Sequence, residues 1–242
     1  MNEERFIRNA VLLGEGYLDR IKDKHICIFG LGGVGGNATE ALCRMGFEQF
    51  TLIDADTVNR SNINRQLIAS EDTIGLKKVD AMEARLKSLN PDVIVHKIDR
   101  FYLPGQDDID FSIFDYVIDA IDTVSSKIDI IAKCFKVGVP VISAMGCGNR
   151  LDPSKLVAKD LADTSYDPLA RIMRQKLRKL GIIHVKVVCS NEEPIKMKIA
   201  LPVDSASKNH CVPGSSPFVP PAAGLLLAYE VSKDLLKSEI AS

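Results

Sequence analysis

Four polar side chains have the chemistry needed to hold a nucleotide triphosphate: Arg65, Gln66, Lys78 and Asp122. The planar guanidinium of Arg65 suits phosphate oxygens. Lys78 stands at the start of a predicted helix, where a cation opposes the helix dipole and so needs another partner, such as a phosphate; a solvated surface lysine is the alternative. Asp122 could hold Mg²⁺ beside the phosphates, or simply cap the next helix. Together they favour attack on a triphosphate over hydride transfer.

A glycine-rich loop is predicted to receive the phosphates. It follows a predicted strand and precedes a predicted helix, where backbone N–H groups and the helix dipole favour anions. Its glycines are Gly30, Gly32, Gly33 and Gly35. Asp54 ends the next predicted strand about 20 residues later, where an acid holds ribose hydroxyls. The alternative is a packing turn with Asp54 as a surface cap. The loop fits NAD or ATP, and the polar stretch 54–66 favours ATP.

The elements that must position these residues alternate between short β-branched runs and helical periods. Strands are predicted at 25–29, 50–53, 93–98, 116–118 and 139–143, with helices at 35–45, 76–89 and 125–135. Parallel strands need crossovers, and right-handed crossovers place helices on both faces. The pattern therefore predicts an α/β fold with a Rossmann-like, mostly parallel sheet flanked by helices.

The pattern changes after Gly146. Asp167-Pro168 is typical of a helix start and Gly181 of its end. Strands at 182–188 and 196–201 are predicted to form an antiparallel C-terminal extension, followed by a proline-rich connection and a helix at 222–236. We expect a single domain, with a nucleotide-binding part at about 20–150 and a substrate or dimer extension at about 151–242.

Composition limits the remaining function classes. The chain has 242 residues and a formal net charge of −1, so bulk charge does not predict a polyanionic partner. The six cysteines include no Cys-x-x-Cys pair, which argues against structural zinc and favours a reducing compartment. No signal peptide is recognisable, and two prolines break the longest apolar run near the C-terminus. A cytoplasmic protein without stable membrane insertion is predicted.

Five motifs in a fixed order resemble the HesA/MoeB/ThiF superfamily of ubiquitin-activating-enzyme-like adenylating proteins. They are Gly-x-Gly-Gly-Val-Gly at 30–35, Leu-Ile-Asp-x-Asp-x-Val at 52–58, Ser-Asn-x-Asn-Arg-Gln at 61–66, Gly-x-x-Lys at 75–78 and Asp-x-x-Asp at 119–122. Beyond the glycines, the resemblance implies ATP contacts by Asp54, Asp56, Ser61, Asn62, Arg65, Gln66, Lys78 and Asp122. It assigns Asp54 and Asp56 to the ribose and metal environment, and Asp122 to Mg²⁺ and adenylation.

The same resemblance implies a homodimer with shared sites. In that superfamily an arginine near the N-terminus reaches the γ-phosphate of the ATP bound by the other subunit. Arg8 stands in the matching place, and Arg5 is near enough to compete.

Within the superfamily, the chain resembles the tRNA threonylcarbamoyladenosine dehydratase branch. The segments 186–194 and 213–224 carry this resemblance, and the paired cysteines of most enzymes that activate sulfur carriers are missing. The implied reaction uses ATP to activate the threonylcarbamoyl carboxylate on an adenosine beside the anticodon, which then cyclises with net loss of water. The alternatives are an activating enzyme for a ubiquitin-like sulfur-carrier protein, which could involve a sulfur-transfer accessory protein, and a nucleotide-binding regulatory or redox module.

A basic segment gives an independent indication of RNA. Between Pro168 and Cys189 there are six Lys or Arg residues and no Asp or Glu. Helical spacing places an apolar stripe opposite these cations, formed by Leu169, Ile172, Met173, Leu177 and Leu180. Arg171, Arg174 and Arg178 are the predicted tRNA contacts, and a solvated helix face is the alternative.

Cys211, beside His210, is the one cysteine placed where a thiol could reach the site, with an inert thiol as its alternative.

Overall fold

The computed structural model describes residues 3–199 and 213–236. Seven helices occur in that part of the chain: α1 (Ile7–Leu13), α2 (Tyr17–Ile21), α3 (Gly35–Met45), α4 (Lys78–Leu89), α5 (Val124–Val137), α6 (Pro168–Arg178) and α7 (Val219–Leu236). The strands are β1 (His25–Phe29), β2 (Gln49–Ile53), β3 (Ile94–Ile98), β4 (Tyr116–Asp119), β5 (Val141–Ala144), β6 (Leu156–Asp160) and β7 (Lys186–Ser190).

One seven-stranded sheet runs in the order β3-β2-β1-β4-β5-β7-β6. All neighbours pair in parallel except β6, which lies antiparallel on β7 at the edge. The chain moves outward from β1 to β3 and then returns to place β4 on the other side of β1. The connections after β1 and β4 therefore diverge, and open α/β sheets bind ligands at such a point. The predicted fold class is confirmed.

Helices cover both faces because each central strand is apolar on both sides. Ile26 and Ile28 of β1 join the core cluster packed under α3, α4 and α7, whereas Cys27 and Phe29 join the one packed under α5 and α6. All four are fully buried. A strand enclosed in this way is a continuous apolar run, as the sequence predicted for β1.

A buried carboxylate ties together the two helices that lead into the ligand edge. Glu40 of α3 accepts hydrogen bonds from Arg85 of α4 at 2.7 and 3.0 Å and from Arg44 at 2.7 Å. Burial opposes ionisation, but both guanidinium groups outweigh it and lower the pKa of Glu40. Glu40 thus fixes α3 and α4 to each other, and with them the glycine loop before α3 and Lys78 at the start of α4.

The predicted antiparallel pair at 182–188 and 196–201 is wrong. β7 forms at 186–190, but its antiparallel partner is β6, a strand that was not predicted from the sequence. Residues 196–199 form no strand, and 200–201 lie outside the described residues. β6 already occupies the free edge of β7. Ile195 instead donates its backbone N–H to Asn149 O at 2.7 Å, which holds this stretch against the loop after β5.

Helix α6 begins as predicted, but its apolar stripe is narrower. Asp167 caps it by accepting the Ala170 N–H at 3.1 Å. The buried residues are Ala170, Met173 and Leu177. Ile172 and Leu180, expected in the stripe, are largely exposed. Among the described residues, none of the helices has the length and apolar character to cross a membrane.

Candidate functional site

The glycine loop turns directly from β1 into α3, and two positions require glycine. Gly30 has φ +89°, and a Cβ there would lie 2.9 Å from Ala120 O. A Cβ at Gly35 would collide with the carbonyl oxygen of Gly30. The loop thereby keeps its backbone close to the 119–122 turn and points the first turn of α3 at the ligand edge, where free N–H groups favour an anion.

A cavity of about 410 Å³ opens at the divergence of β1 and β4. Ten of the predicted site residues line it: Gly30, Gly32, Gly33, Asp54, Asp56, Asn62, Arg65, Gln66, Lys78 and Asp122. Its size lies within the range of small-molecule sites. Gly35 lies behind the loop as the first residue of α3, whereas Ser61 and Arg8 are not in the lining.

Asp54 fastens the end of β2 to the glycine loop. Its carboxylate accepts the Leu31 N–H at 2.6 Å and the Asp56 N–H at 2.8 Å. Burial raises the pKa of Asp54, and nearby Lys78 opposes that shift. The alternative of a surface cap is excluded, because the side chain is nearly buried against the loop.

Lys78 is a buried cation with a carboxylate partner. It is the first residue of α4, and its Nζ lies 2.6 Å from Asp56 Oδ2 and 3.9 Å from Asp54 Oδ1. The alternative of a solvated surface lysine is therefore wrong for Lys78. Its neighbour Lys77 is half-exposed and pairs with Asp99 at 3.0 Å, as a surface residue would.

The segment 61–66 presents a guanidinium and an amide to the cavity. Arg65 Nη1 donates to Ser61 O and to Asn64 Oδ1, both at 2.9 Å, which braces the side chain from one side. Asn62 supports the local turn by accepting the Asn59 N–H at 3.0 Å. Gln66 is 93% buried, and its Oε1 has no hydrogen-bond partner among the described residues. Gln66 also lines the cavity, and a buried acceptor without a partner is unusual enough to require a further group.

Asp122 is exposed at the mouth of the cavity and does not cap α5. That helix starts after Thr123 without a side-chain cap, and Asp122 accepts one long hydrogen bond, from Thr123 Oγ1 at 3.4 Å. Its oxygens thus remain available to a cation. Among the described residues, no cluster of three or more His, Cys, Asp or Glu could hold a metal ion. Mg²⁺ would fit here only with phosphate oxygens as further ligands, which is its usual coordination.

A fully buried ion pair supports the turn that carries Asp122. Lys127 Nζ lies 2.9 Å from Asp119 Oδ2 and donates to Ile121 O at 3.1 Å. Ser143 Oγ donates to the same Asp119 oxygen at 2.6 Å. Lys127 was not among the residues predicted from the sequence. Its signal was its position in the apolar stripe of α5, one turn before Ile130 and Ile131, where a lysine requires a buried acid.

The two candidate N-terminal arginines differ in their surroundings. Arg5 bonds to Asn90 Oδ1 and lies 3.7 Å from Asp92 Oδ2. Arg8 is exposed on α1 and has no partner among the described residues. The same helix exposes two aliphatic side chains, Val11 at 77% and Leu12 at 83%. Arg8 is therefore the arginine left available to a second molecule.

The predicted RNA-binding arginines of α6 also differ in their surroundings: one is bonded within its own chain and two are exposed. Arg174 is half-buried and donates to Leu161 O and Thr164 O, each at 3.0 Å, and to Thr164 Oγ1. The guanidinium already satisfies carbonyls of its own chain, which gives Arg174 a structural role, and its contact with tRNA stays a prediction. Arg171 and Arg178 are exposed.

The five described cysteines are free and buried. Burial raises the pKa of Cys43, Cys134 and Cys147 to about 12, which keeps these thiols protonated at neutral pH. The core role expected for Cys27 and Cys43 is confirmed. Cys211 lies outside the described residues.

Comparison with known proteins identifies the family. The ThiF family model matches residues 6–234. A tRNA threonylcarbamoyladenosine dehydratase of Bacillus subtilis (strain 168) is 38% identical over 96% of this chain and 95% of its own. The chain belongs to the ThiF family. Within it, the chain is grouped with the tRNA threonylcarbamoyladenosine dehydratases.

Two further relatives show how far the likeness to each branch of the ThiF family extends along this chain. The crystal structure of E. coli TcdA, a tRNA N6-threonylcarbamoyladenosine dehydratase in complex with ATP, has a TM-score of 0.85 and 33% identity, covering 97% of this chain and 95% of that one. The E. coli molybdopterin-synthase adenylyltransferase is 32% identical over only 57% of each chain. The likeness to the dehydratases covers nearly the whole chain, including its C-terminal part. The likeness to the adenylyltransferase covers a much smaller share of the chain.

Proposed function

We propose that this protein is an ATP-dependent tRNA-modifying enzyme that activates the carboxylate of threonylcarbamoyladenosine beside the anticodon and cyclises it with net dehydration. The observation that carries the proposal is the convergence of Arg65, Lys78 and Asp122 on one cavity at the divergence of the sheet. The likeness to dehydratases along nearly the whole chain supports the tRNA substrate.

The proposed chemistry has two steps. A substrate carboxylate oxygen attacks the α-phosphorus of ATP and pyrophosphate leaves, which gives an acyl adenylate. A nucleophilic atom of the same substrate then attacks the carbonyl carbon, and AMP leaves with the former carboxylate oxygen. The attacking atom belongs to the substrate, so no enzyme thiol is needed. This agrees with the buried cysteines of the described chain, whose thiol pKa values are raised by burial.

The roles we assign follow the charges in the cavity. Lys78 and Arg65 stabilise the negative charge that develops on the phosphates, a form of catalysis by preorganised cations. Asp54, beside the glycine loop, receives the ribose, and Gln66 Oε1 accepts a hydrogen bond from the nucleotide. Asn62 and Ser61 shape the segment that presents Arg65. Lys78 must exchange Asp56 for phosphate when ATP enters.

Mg²⁺ completes the site in this proposal. Asp122 would hold it together with phosphate oxygens, and the ion would neutralise charge on the leaving pyrophosphate. Asp56, released by Lys78, lies in the same lining.

A homodimer is part of the proposal. Exposed Arg8 would reach the γ-phosphate in the neighbouring subunit, and the aliphatic side chains beside it on α1 would be covered by that subunit. Nucleotide binding is assigned to about 20–150, and substrate contacts and further dimer contacts to about 151–242. The free thiols fit a reducing, cytoplasmic location.

The test is AMP release. Wild-type protein with ATP and threonylcarbamoyladenosine-containing tRNA should form AMP and cyclised nucleoside in equal amounts. Unmodified tRNA is the control. AMP formed only with a ubiquitin-like carrier protein would instead establish the alternative activating function, in which a sulfur-transfer protein would be a partner. Tight NADH binding without ATP binding would overturn both.

A further inference from the structure

A second concavity borders the start of α6. It encloses about 620 Å³, and its lining includes Tyr166, Arg171 and Gln175. Tyr166 is its one aromatic lining residue and is 61% exposed. Its φ of +58° is uncommon for a bulky residue, so the surrounding structure must impose it.

A buried ion pair imposes that conformation. Arg150 and Asp167 are almost completely inaccessible, with Nη1 3.5 Å from Oδ2. Arg150 also donates to Tyr166 O at 3.4 Å and to Gly146 O. Asp167 accepts the Gly146 N–H at 3.0 Å and caps α6. The buried pair therefore fixes the backbone of Tyr166, while the ring of Tyr166 stays in solvent.

The same contacts place Tyr166 at the edge of the sheet that carries the nucleotide cavity. Gly146 follows β5, and β5 lies beside β4, with Ser143 paired in register with Asp119. The turn after β4 carries Asp122. The turn that carries Asp122 and the Gly146 loop that anchors Tyr166 through Arg150 thus follow neighbouring strands at the same edge of the sheet.

We propose that Tyr166 and Arg171 form a subsite for an unpaired nucleotide of the RNA substrate, next to the modified adenosine. This rests on the proposed function. The Tyr166 ring stacks on the base, and Arg171, which is exposed and has no partner among the described residues, contacts its phosphate. Stacking on exposed aromatic side chains is how proteins hold unpaired RNA bases of any identity. The acid-free surface of α6 extends the positive charge that a polyanion requires.

Three variants distinguish the effect of removing the Tyr166 ring from an effect on folding. Tyr166→Phe keeps the stacking surface, whereas Tyr166→Asn and Tyr166→Gly remove it with residues that tolerate a positive φ. For an anticodon stem-loop RNA, we expect Tyr166→Phe to bind like wild type. Tyr166→Asn and Tyr166→Gly should bind roughly tenfold or more weakly, the usual loss for one stacked base. ATP affinity should be unchanged in all three variants. The thermal unfolding temperature should also be unchanged, except in Tyr166→Gly, where it should be unchanged or higher.

A fluorescent base gives the direct readout. With 2-aminopurine at each loop position in turn, wild type and Tyr166→Phe should quench one position, and Tyr166→Asn should not. If wild type releases AMP with modified tRNA but the Asn variant binds and quenches like wild type, the subsite is wrong and the proposed function stands. Equal losses of RNA affinity in Tyr166→Phe and Tyr166→Asn would overturn stacking. No RNA binding by wild type would overturn both proposals.

Discussion

The ammonium of Lys127 lies 2.9 Å from the carboxylate of Asp119 at a depth where neither side chain has exposed surface. The pair stands beneath the turn that ends in Asp122, and Lys127 also holds that turn through the Ile121 carbonyl. Removing one partner from such a pair leaves an uncompensated buried charge, which costs far more than the net value of the pair.

Lys127→Met should lower the free energy of unfolding by about 3–5 kcal/mol in a urea titration. Adding Asp119→Asn should recover much of this loss, since the amide carries no charge and can still accept the Ser143 hydroxyl hydrogen bond. A loss below about 1 kcal/mol for the single variant, the value of an exposed pair, would contradict the buried placement.

Lys78→Ala should reduce turnover much more than ATP affinity. Charge on the transferring phosphates grows in the transition state, where one preorganised donor is worth about 10²–10³-fold in kcat. The variant should fold, because its partner Asp56 is half-exposed and can be hydrated. Titration calorimetry and AMP release measure the two effects.

Lys77→Ala is the matched control, since its half-exposed side chain pairs with Asp99 outside the cavity lining. Arg65→Ala should behave like Lys78→Ala. Equal losses of ATP affinity and rate would make both residues ordinary binding contacts.

Mixing Arg8→Ala subunits with Asp122→Ala subunits should restore activity, up to one working site per heterodimer. Each parent variant alone should be inactive, because every site in it lacks one of the two groups. Confirmed subunit exchange without regained activity would refute shared sites. Arg5→Ala should instead lower stability with little effect on turnover, since Arg5 binds Asn90 and Asp92 of its own chain.

Replacing Arg171 and Arg178 by Gln should weaken tRNA binding and reduce the salt slope by roughly one unit per lost phosphate contact. ATP affinity should not change. Superimposable salt series for wild type and variant would show that this helix face is merely solvated.

Arg174→Gln should act on the fold instead. It leaves the Thr164 carbonyl without its donor, which costs about 1–3 kcal/mol, whereas Leu161 O keeps the Thr164 hydroxyl as a donor at 2.7 Å. Chemical denaturation measures this. A large loss of tRNA affinity with unchanged stability would return Arg174 to the RNA-binding surface.

The parts of the site that the sequence predicted are those encoded by local rules. Gly30 and Gly35 follow from a tight strand-to-helix turn, and Lys78 from its place at a helix start. Asp167 was recognisable as a cap because a proline follows it. Each requires only neighbouring residues, so each leaves a readable pattern.

What the sequence did not predict depends on distant partners. β6 is half-buried along its whole length, so it lacks the alternation of a typical strand. The role of Arg174 depends on carbonyls ten and thirteen residues away. Residues 196–199 alternate polar and apolar types, yet the strand edge they would need is taken.

The Lys78–Asp56 contact also has a consequence for which anions can enter the site. Because Lys78 is already neutralised, its part of the cavity offers little net attraction to stray phosphate or sulfate: an anion that binds there must first displace a carboxylate 2.6 Å away. An incoming nucleotide that carries its own divalent ion leaves the displaced Asp56 compensated, which a bare anion does not. The ion pair would thus act as a filter: in the proposed reaction, metal-free nucleotide is discriminated against at entry.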